Sequence, residues 1–335
     1  MDKFLKILDT GQNLNAHPTC FYLCWEKNTA EWCNADDHKD AVFRTYVKWP
    51  AFKRDILIAS DEPSSGSAAI VDHKNLKNIS YLKSHLQKSV RLSNTYRAIL
   101  TACEFIEHDM SMFLRRILII AIEDALPLEG YEVLTWFMSA HSKGYILNTD
   151  QIRWCLKYVY DLAKCSHYEQ VNPISSNTFI KNLRLPVLPV EGKTLIYSIL
   201  FRETYGGLKH DMELCQNIAV LWSARFHTKS LHLSLLKRET GYMTYASRGL
   251  ALRDWYLSAI DFHTSPSLIT FIREKYDHYS ELEIKLTIWH LSSSRTNKKN
   301  IGTDYQLRNN QLYIGIWKEI KKSVQAYSWH IISGL

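Results

Sequence analysis

The stretch YLKSHLQKSVRLSNTYRAILTACEFIEHDMSMFLRRILIIAIEDALP, residues 81–127, decides the fold. Asn78 or Ser80 is placed to cap a helix running to about Leu92. Ser93-Asn94-Thr95 breaks it and caps a second helix to about Glu107, and Asp109 or Ser111 opens a third that Pro127 stops. Connections of two to four residues oblige such neighbours to pack as antiparallel hairpins. The third helix, Met112 to Leu126, is apolar nearly all round and belongs at the centre of a core. It nevertheless opens with Arg115-Arg116 and closes with Glu123-Asp124. Arg116 and Glu123 are seven residues apart, two turns, and so share a side of the helix. A buried, isolated charge costs several kcal/mol. These residues are therefore expected to bond with each other, with neighbouring helix ends or with a partner chain. Lys88 and Arg91, three apart on the first helix, are expected to add a basic edge to the same layer.

Working outward, residues 1–60 read as a small mixed N-terminal segment. Phe21 to Trp25 and Val42 to Val47 have the aromatic and β-branched content of strands. Asp61 to Ala69 is small, polar and Pro/Gly-containing, and 61–75 reads as a linker. A helical domain spans 76–170, with further helices over Tyr131–Lys143 and Thr149–Cys165. A second helical region spans 171–335, in which Asn172–Gly192 is an extended surface loop. Helices there are expected over Thr194–Tyr205, Leu208–Phe226, Leu250–Asp261, Ser267–Tyr279 and Leu312–Ile331, with a polar loop over 292–311. The fold class expected is mainly α: a multi-helix bundle or array of antiparallel helical hairpins behind a small mixed segment.

Composition agrees. Apolar residues are 46% and charged residues 22%, which is globular and not disordered. Only 12 Gly and 8 Pro supply few turns for an all-β sandwich or barrel. The net charge of +7 is a mild excess over 335 residues, compatible with nucleic acid but not diagnostic of it. Seven cysteines in a long chain read as reduced thiols of a cytosolic or nuclear setting. The first six residues lack the apolar core of a signal peptide, and the longest apolar run, Ile117–Ile122, cannot span a bilayer. An intracellular protein, cytoplasmic or nuclear and without membrane partners, is expected.

Residues 78–127 resemble the C-terminal helical region of the MgsA/RarA-type AAA+ ATPases. That family runs roughly His-Lys-Ser-x-Arg-Gly-Ser, a helix with spaced alanines, Phe-Ile-x-Arg-Arg-Leu, then Ala-Ser-Glu-Asp-Ile-Gly. The matches are Lys88, Ser89, Arg91 and Ser93, then Ala98 and Ala102, then Phe113, Arg115 and Arg116, then Ala121, Glu123 and Asp124. Leu92 stands where the family has glycine, and Ala125 where it has isoleucine. The resemblance covers about 50 of 335 residues. It implies a helical collar through which subunits oligomerise, in a family that acts at stalled replication forks. The chain contains no Gly-x-x-x-x-Gly-Lys-Ser/Thr loop to cradle phosphates, so the resemblance brings the scaffold without the motor.

Other patterns carry chemistry of their own. Tyr205-Gly206-Gly207, with Lys209 following, places two glycines between helices. Amides freed at a helix start suit an anion, whereas a plain helix stop would put Gly206 in the left-handed position. Cys20, Cys24, Cys33 and His38 form a C-x3-C-x8-C-x4-H array of zinc-type ligands that also reads as buried free thiols. His108-Asp109 and His210-Asp211 are dipeptides of the kind by which helical HD-type phosphohydrolases hold metals, with His73, His85 and Asp161 available as further ligands. Yet 14 histidines make such pairs unsurprising, and Asp109 is wanted as a cap. Asp261-Phe262-His263 stands at a helix boundary and reads as turn chemistry. Lys237-Arg238, Arg248, Arg253 and the Lys298-Lys299 loop interleave with Tyr242, Tyr245, Trp255 and Tyr256, so that cations would hold phosphates while rings stack on bases. A solvated basic surface over an aromatic core accounts for the same residues.

The function expected is a non-catalytic helical scaffold or interaction protein that self-associates or docks on a protein partner. It would serve DNA replication, recombination or other nucleic-acid machinery, with no cofactor. The alternatives are a direct DNA- or RNA-binding protein and an HD-type metal-dependent phosphohydrolase.

Overall fold

The computed structural model describes residues 18–66, 79–169, 171, 185, 188–239, 241–244, 250–260, 264–292 and 310–333. Among these the chain is mainly helical, with one small sheet near its N-terminus. It divides into two compact units, each assembled from separated stretches. The first takes residues 1–70, 110–158 and 169–243; the second takes 71–109, 159–168 and 244–335.

In the first unit the sheet holds β1 (Cys20–Cys24), β2 (Thr29–Cys33), β3 (Phe43–Trp49) and β4 (Arg54–Ser60), in the order β2-β1-β4-β3. β1 and β2 form an antiparallel hairpin, as do β3 and β4; the central pair β1/β4 is parallel, with Cys20 opposite Leu57. The central strands are the apolar ones: Phe21, Leu23 and Ile56 to Ala59 are fully buried. Helix α3 (Tyr131–His141) lies on this sheet. Its Trp136 indole N–H is shared between the carbonyls of Phe21 and Ala59, at 3.0 and 3.2 Å, which ties the helix to both central strands. Phe21 stacks on Trp32, and Trp49, Phe52, Tyr197 and Phe201 complete an aromatic core. Tyr197 and Phe201 belong to α5 (Val190–Glu203), which pairs with α6 (Lys209–His227).

The second and third helices expected in the quoted stretch run together as α2 (Thr95–Asp124), broken at Asp109, where φ −159° and ψ 88° leave the helical region. The expected third helix is the part after this break, in the first unit. Phe113, Leu114 and Ile117 through Ile122 are buried to 1% or less. Each such side chain is worth about 1.5–3 kcal/mol of burial. The residues read as a linker are anchored where they are described. Tyr22 donates to Asp61, Ser65 N–H to the Ile146 carbonyl, Ile146 N–H to Ser64, and Asn148 to Glu62. Residues 67–78 lie outside the described set.

The second unit contains α1 (Ile79–Arg91), residues 95–109 of α2, and the last turn of α4 (Thr149–Lys164). It ends in a cluster of α7 (Pro266–Arg273), α8 (Glu281–Leu291) and α9 (Gln311–Ser333), around Ile272, Ile284 and Ile320. Asn94 caps α2 by accepting from Arg97 N–H at 3.0 Å, and its amide donates to the Tyr256 hydroxyl at 2.8 Å. The helix expected over Leu250–Asp261 is instead two single 3-10 turns, Leu252–Asp254 and Leu257–Ala259. Asp254 bonds back to Ala251 N–H, and Tyr256 N–H leaves helical geometry to reach His85 Nε2 at 2.9 Å. His85 Nδ1 meets the Thr101 hydroxyl at 2.7 Å. Burial pushes this imidazole down to about 3, so it is neutral and accepts at Nε2.

Candidate functional site

The arginine pair at the start of the central rod is where the first unit concentrates charge. Arg115 donates to the Tyr205 carbonyl at 2.6 Å. Arg202, buried near the end of α5, donates through Nε to the Arg115 carbonyl at 3.1 Å and through Nη1 to the Gly206 carbonyl at 2.8 Å. Two guanidiniums thus satisfy carbonyls left over at a helix C-terminus, where the dipole favours cations. Burial lowers the Arg202 pKa, partly offset by Cys215 and Tyr131. Arg116 stands 3.9 Å from Glu123 and 4.0 Å from Asp211.

The Tyr205-Gly206-Gly207 junction is therefore part of this layer, which seven-residue spacing alone does not reveal. Gly206 has φ +67° and stops α5, and Gly207 has φ +152°. A Cβ on Gly207 would sit 2.9 Å from Asp211 Oδ2, the atom that accepts from Leu208 N–H at 3.3 Å. The start of α6, read as a seat for an anion, is occupied by the chain's own Asp211. Lys209 points to solvent in an ion pair with Glu213. Beside the junction Glu203 accepts from Gln216 at 2.7 Å, and desolvation pushes its carboxyl up to about 7.

Asp124 is buried at the far end of the rod. Lys88 and Arg91 belong to the second unit, where both are buried and Lys88 donates to the Ser292 carbonyl at 2.9 Å. Lys298 and Lys299 lie outside the described residues, as do His73, Tyr245, Arg248 and 261–263.

The cysteine array does not converge. Cys20 and Cys33 face each other across β1 and β2, but Cys24 is four residues along β1, about 13 Å at strand rise. The His38 ring stacks on Tyr22, with centroids 3.7 Å apart. Among the described residues no group of three or more His, Cys, Asp or Glu is arranged for a metal. In the His-Asp pairs, His108 meets Glu104 at 3.4 Å, Asp109 marks the break in α2, and Asp211 serves as described. Of the rings offered for base stacking, Trp255 is buried and Tyr256 lies under Arg97, 4.1 Å from its centroid, while Tyr242 is exposed. Lys237 pairs with Glu129, and Arg238 lies over Trp154 and Tyr158.

A second feature, absent from the sequence reading, is a cavity of about 600 Å3 within the first unit. It is lined from the β1–β2 turn, the loop before α3, the start of α5, and the segment after α6. Glu132, in the first turn of α3, lines it and is half-buried. Desolvation pushes its carboxyl up to about 7, against backbone N–H bonds from Glu132 itself and Gly130 and the attraction of Arg238. Gly130 has φ +93°, and a Cβ there would strike Trp154 at 2.7 Å, so only glycine lets α3 begin here. The lining comes from four stretches that no periodicity connects; punctuation marks two of them, at Pro127 and Gly130 and at Pro189.

No helix among the described residues is long and apolar enough to cross a membrane. Compared with protein-family models, curated proteins and solved structures, the chain matches none.

Proposed function

We propose that the chain is a non-catalytic helical scaffold that self-associates and works with DNA replication, recombination or related nucleic-acid machinery. The observation that carries this reading is the neutralised rod. A buried apolar helix keeps arginines at its start and acids at its finish, and Arg115 and Arg116 are spent on the end of α5, the start of α6 and Glu123. These are the positions of the Arg-Arg and Glu-Asp pattern that resembles the collar of RarA-type ATPases, through which subunits of that family oligomerise. The second unit adds contact area: Phe271, Leu282, Leu312 and Trp329 are exposed on α7, α8 and α9, and aromatic and leucine side chains of this kind are what interfaces bury.

Light scattering on the full chain tests the reading. A mass of two or more times 39.1 kDa is expected, and a strict monomer at every concentration would overturn self-association. A mobility shift with single- and double-stranded nucleic acid at two salt concentrations separates direct binding from scaffolding. Strongly salt-dependent affinity would favour the direct binder.

A further inference from the structure

We propose that the cavity of the first unit binds a small amphipathic amine, its apolar body against the cavity walls and its ammonium on Glu132 and Asn28. The volume of about 600 Å3 falls within the roughly 300–1,000 Å3 of small-molecule sites. The walls are apolar, with Leu128, Leu195, Phe226 and Leu236 among them. Phe226 packs on bare backbone: a Cβ on Gly192 would stand 2.8 Å from its ring. The body of a ligand therefore meets carbon on most sides.

The polar lining selects the head group. Six charged residues line the cavity: Lys27, Lys237, Arg238, Glu129, Glu132 and Glu191. Lys237 is paired with Glu129, and Glu191 also acts on it. Arg238 donates to the Glu129 carbonyl at 2.6 Å and lies over two rings. Lys27 and Glu191 are exposed to water. Glu132 differs from all of these. It is half-buried, and among the described residues it has backbone N–H donors but no ion pair. Desolvation outweighs the attraction of Arg238 and raises its pKa, and a cation arriving in the cavity offsets that penalty. Asn28 Oδ1 is a buried lining acceptor without a hydrogen-bond partner among the described residues. A carboxylate without an ion pair among the described residues, beside one acceptor in want of a donor, suits an ammonium, which brings a positive charge and three N–H donors and no acceptor. An anionic ligand would find Glu132 and Glu191 already in the first turns of α3 and α5, where helix N-termini would otherwise attract it.

The test uses the full chain with three probes that share one body: 4-phenylbutylamine, 4-phenylbutan-1-ol and 4-phenylbutanoic acid. Saturation-transfer NMR titrations at about pH 8 keep the amine protonated and Glu132 mostly ionised. The amine should bind about tenfold more tightly than the alcohol, the margin of a charge-assisted hydrogen bond, and the acid should bind most weakly. Glu132→Gln should erase the amine-over-alcohol margin while leaving the alcohol affinity in place, and Asn28→Ala should reduce the same margin. Thr194→Trp, which fills the cavity from its lining, should remove all three. No saturation transfer to the wild type, tightest binding by the acid, or an undiminished margin in Glu132→Gln would overturn the proposal. Should circular dichroism show that Glu132→Gln does not fold, wild-type amine affinity in Thr194→Trp would overturn it equally. None of these outcomes depends on subunit number, so this proposal and the scaffold reading fail separately.

Discussion

Reversing the charge of Arg116 tests the central rod. Its guanidinium stands 3.9 Å from Glu123 and 4.0 Å from Asp211, and the three side chains are 19%, 26% and 13% exposed. At an effective dielectric of about 20 each contact is worth about 4 kcal/mol of Coulomb energy. Desolvation of both partners cancels most of that, leaving about 1 kcal/mol per pair. Arg116→Gln removes two attractions and should cost about 1–2 kcal/mol. Arg116→Glu turns both into repulsions, which doubles the swing, and rotation toward water returns part of it. A cost of about 2–4 kcal/mol follows. Adding Glu123→Arg to Arg116→Glu restores one pair and should recover about half of the loss. Urea denaturation gives the energies. Because two units are present, hydrogen exchange of the amides over 113–122 localises the effect. If Arg116→Glu, Arg116→Gln and the wild type agree within about 0.5 kcal/mol, the rod does not depend on this neutralisation and the argument from it fails.

Gly207→Ala should destabilise the first unit by about 1–3 kcal/mol, since its φ of +152° and the Asp211 carboxylate at 2.9 Å both oppose a Cβ; a melting temperature equal to wild type would contradict this. His85 is neutral in the fold with its pKa near 3, while the unfolded chain takes up a proton below about 6.5. Stability from this group is complete above that pH and falls as pH drops toward 3, by about 2 kcal/mol between pH 6.5 and pH 5. In His85→Gln the urea midpoint should lose this acid dependence, and an unchanged slope would show that another group drives it. Glu203 titrates the other way. Its folded pKa of about 7 exceeds the unfolded 4.5, so its contribution is complete below about 4.5 and lost as pH rises through 7. Glu203→Gln keeps an acceptor for Gln216 and should be more stable than wild type at pH 8 by about 1–3 kcal/mol; equal stability at that pH would refute this.

Local chemistry was legible and long-range geometry was not. The Asn94 cap, the interruption at Asp109 and the burial of Ile117–Ile122 follow from capping preference and from a run apolar on every side. α8 carries a plain signal, Ser280 followed by Glu283 as a capping box, just beyond the helix expected over Ser267–Tyr279, which ends at Arg273. β4 likewise shows a continuous apolar run, the mark of a strand covered on both faces. The missing helix at 252–259 has a different origin. His85 lies about 170 residues away and claims the Tyr256 amide, and a tertiary hydrogen bond overrides local propensity there. The same holds at the charged layer. Spacing pairs Arg116 with Glu123, but nothing in periodicity joins Arg115 to a carbonyl about 90 residues downstream.

The interleaved composition of the two units governs how the protein can be made. The first unit needs residues as late as 243, although its hairpins are complete by residue 60. On the ribosome those early strands wait for their full cover until α3 and α5 have followed, when about three fifths of the chain has been synthesised. Deletion from either end therefore removes part of one unit and strands its leftover pieces. A smaller stable fragment is to be sought by rejoining the separated stretches with new short linkers, not by trimming.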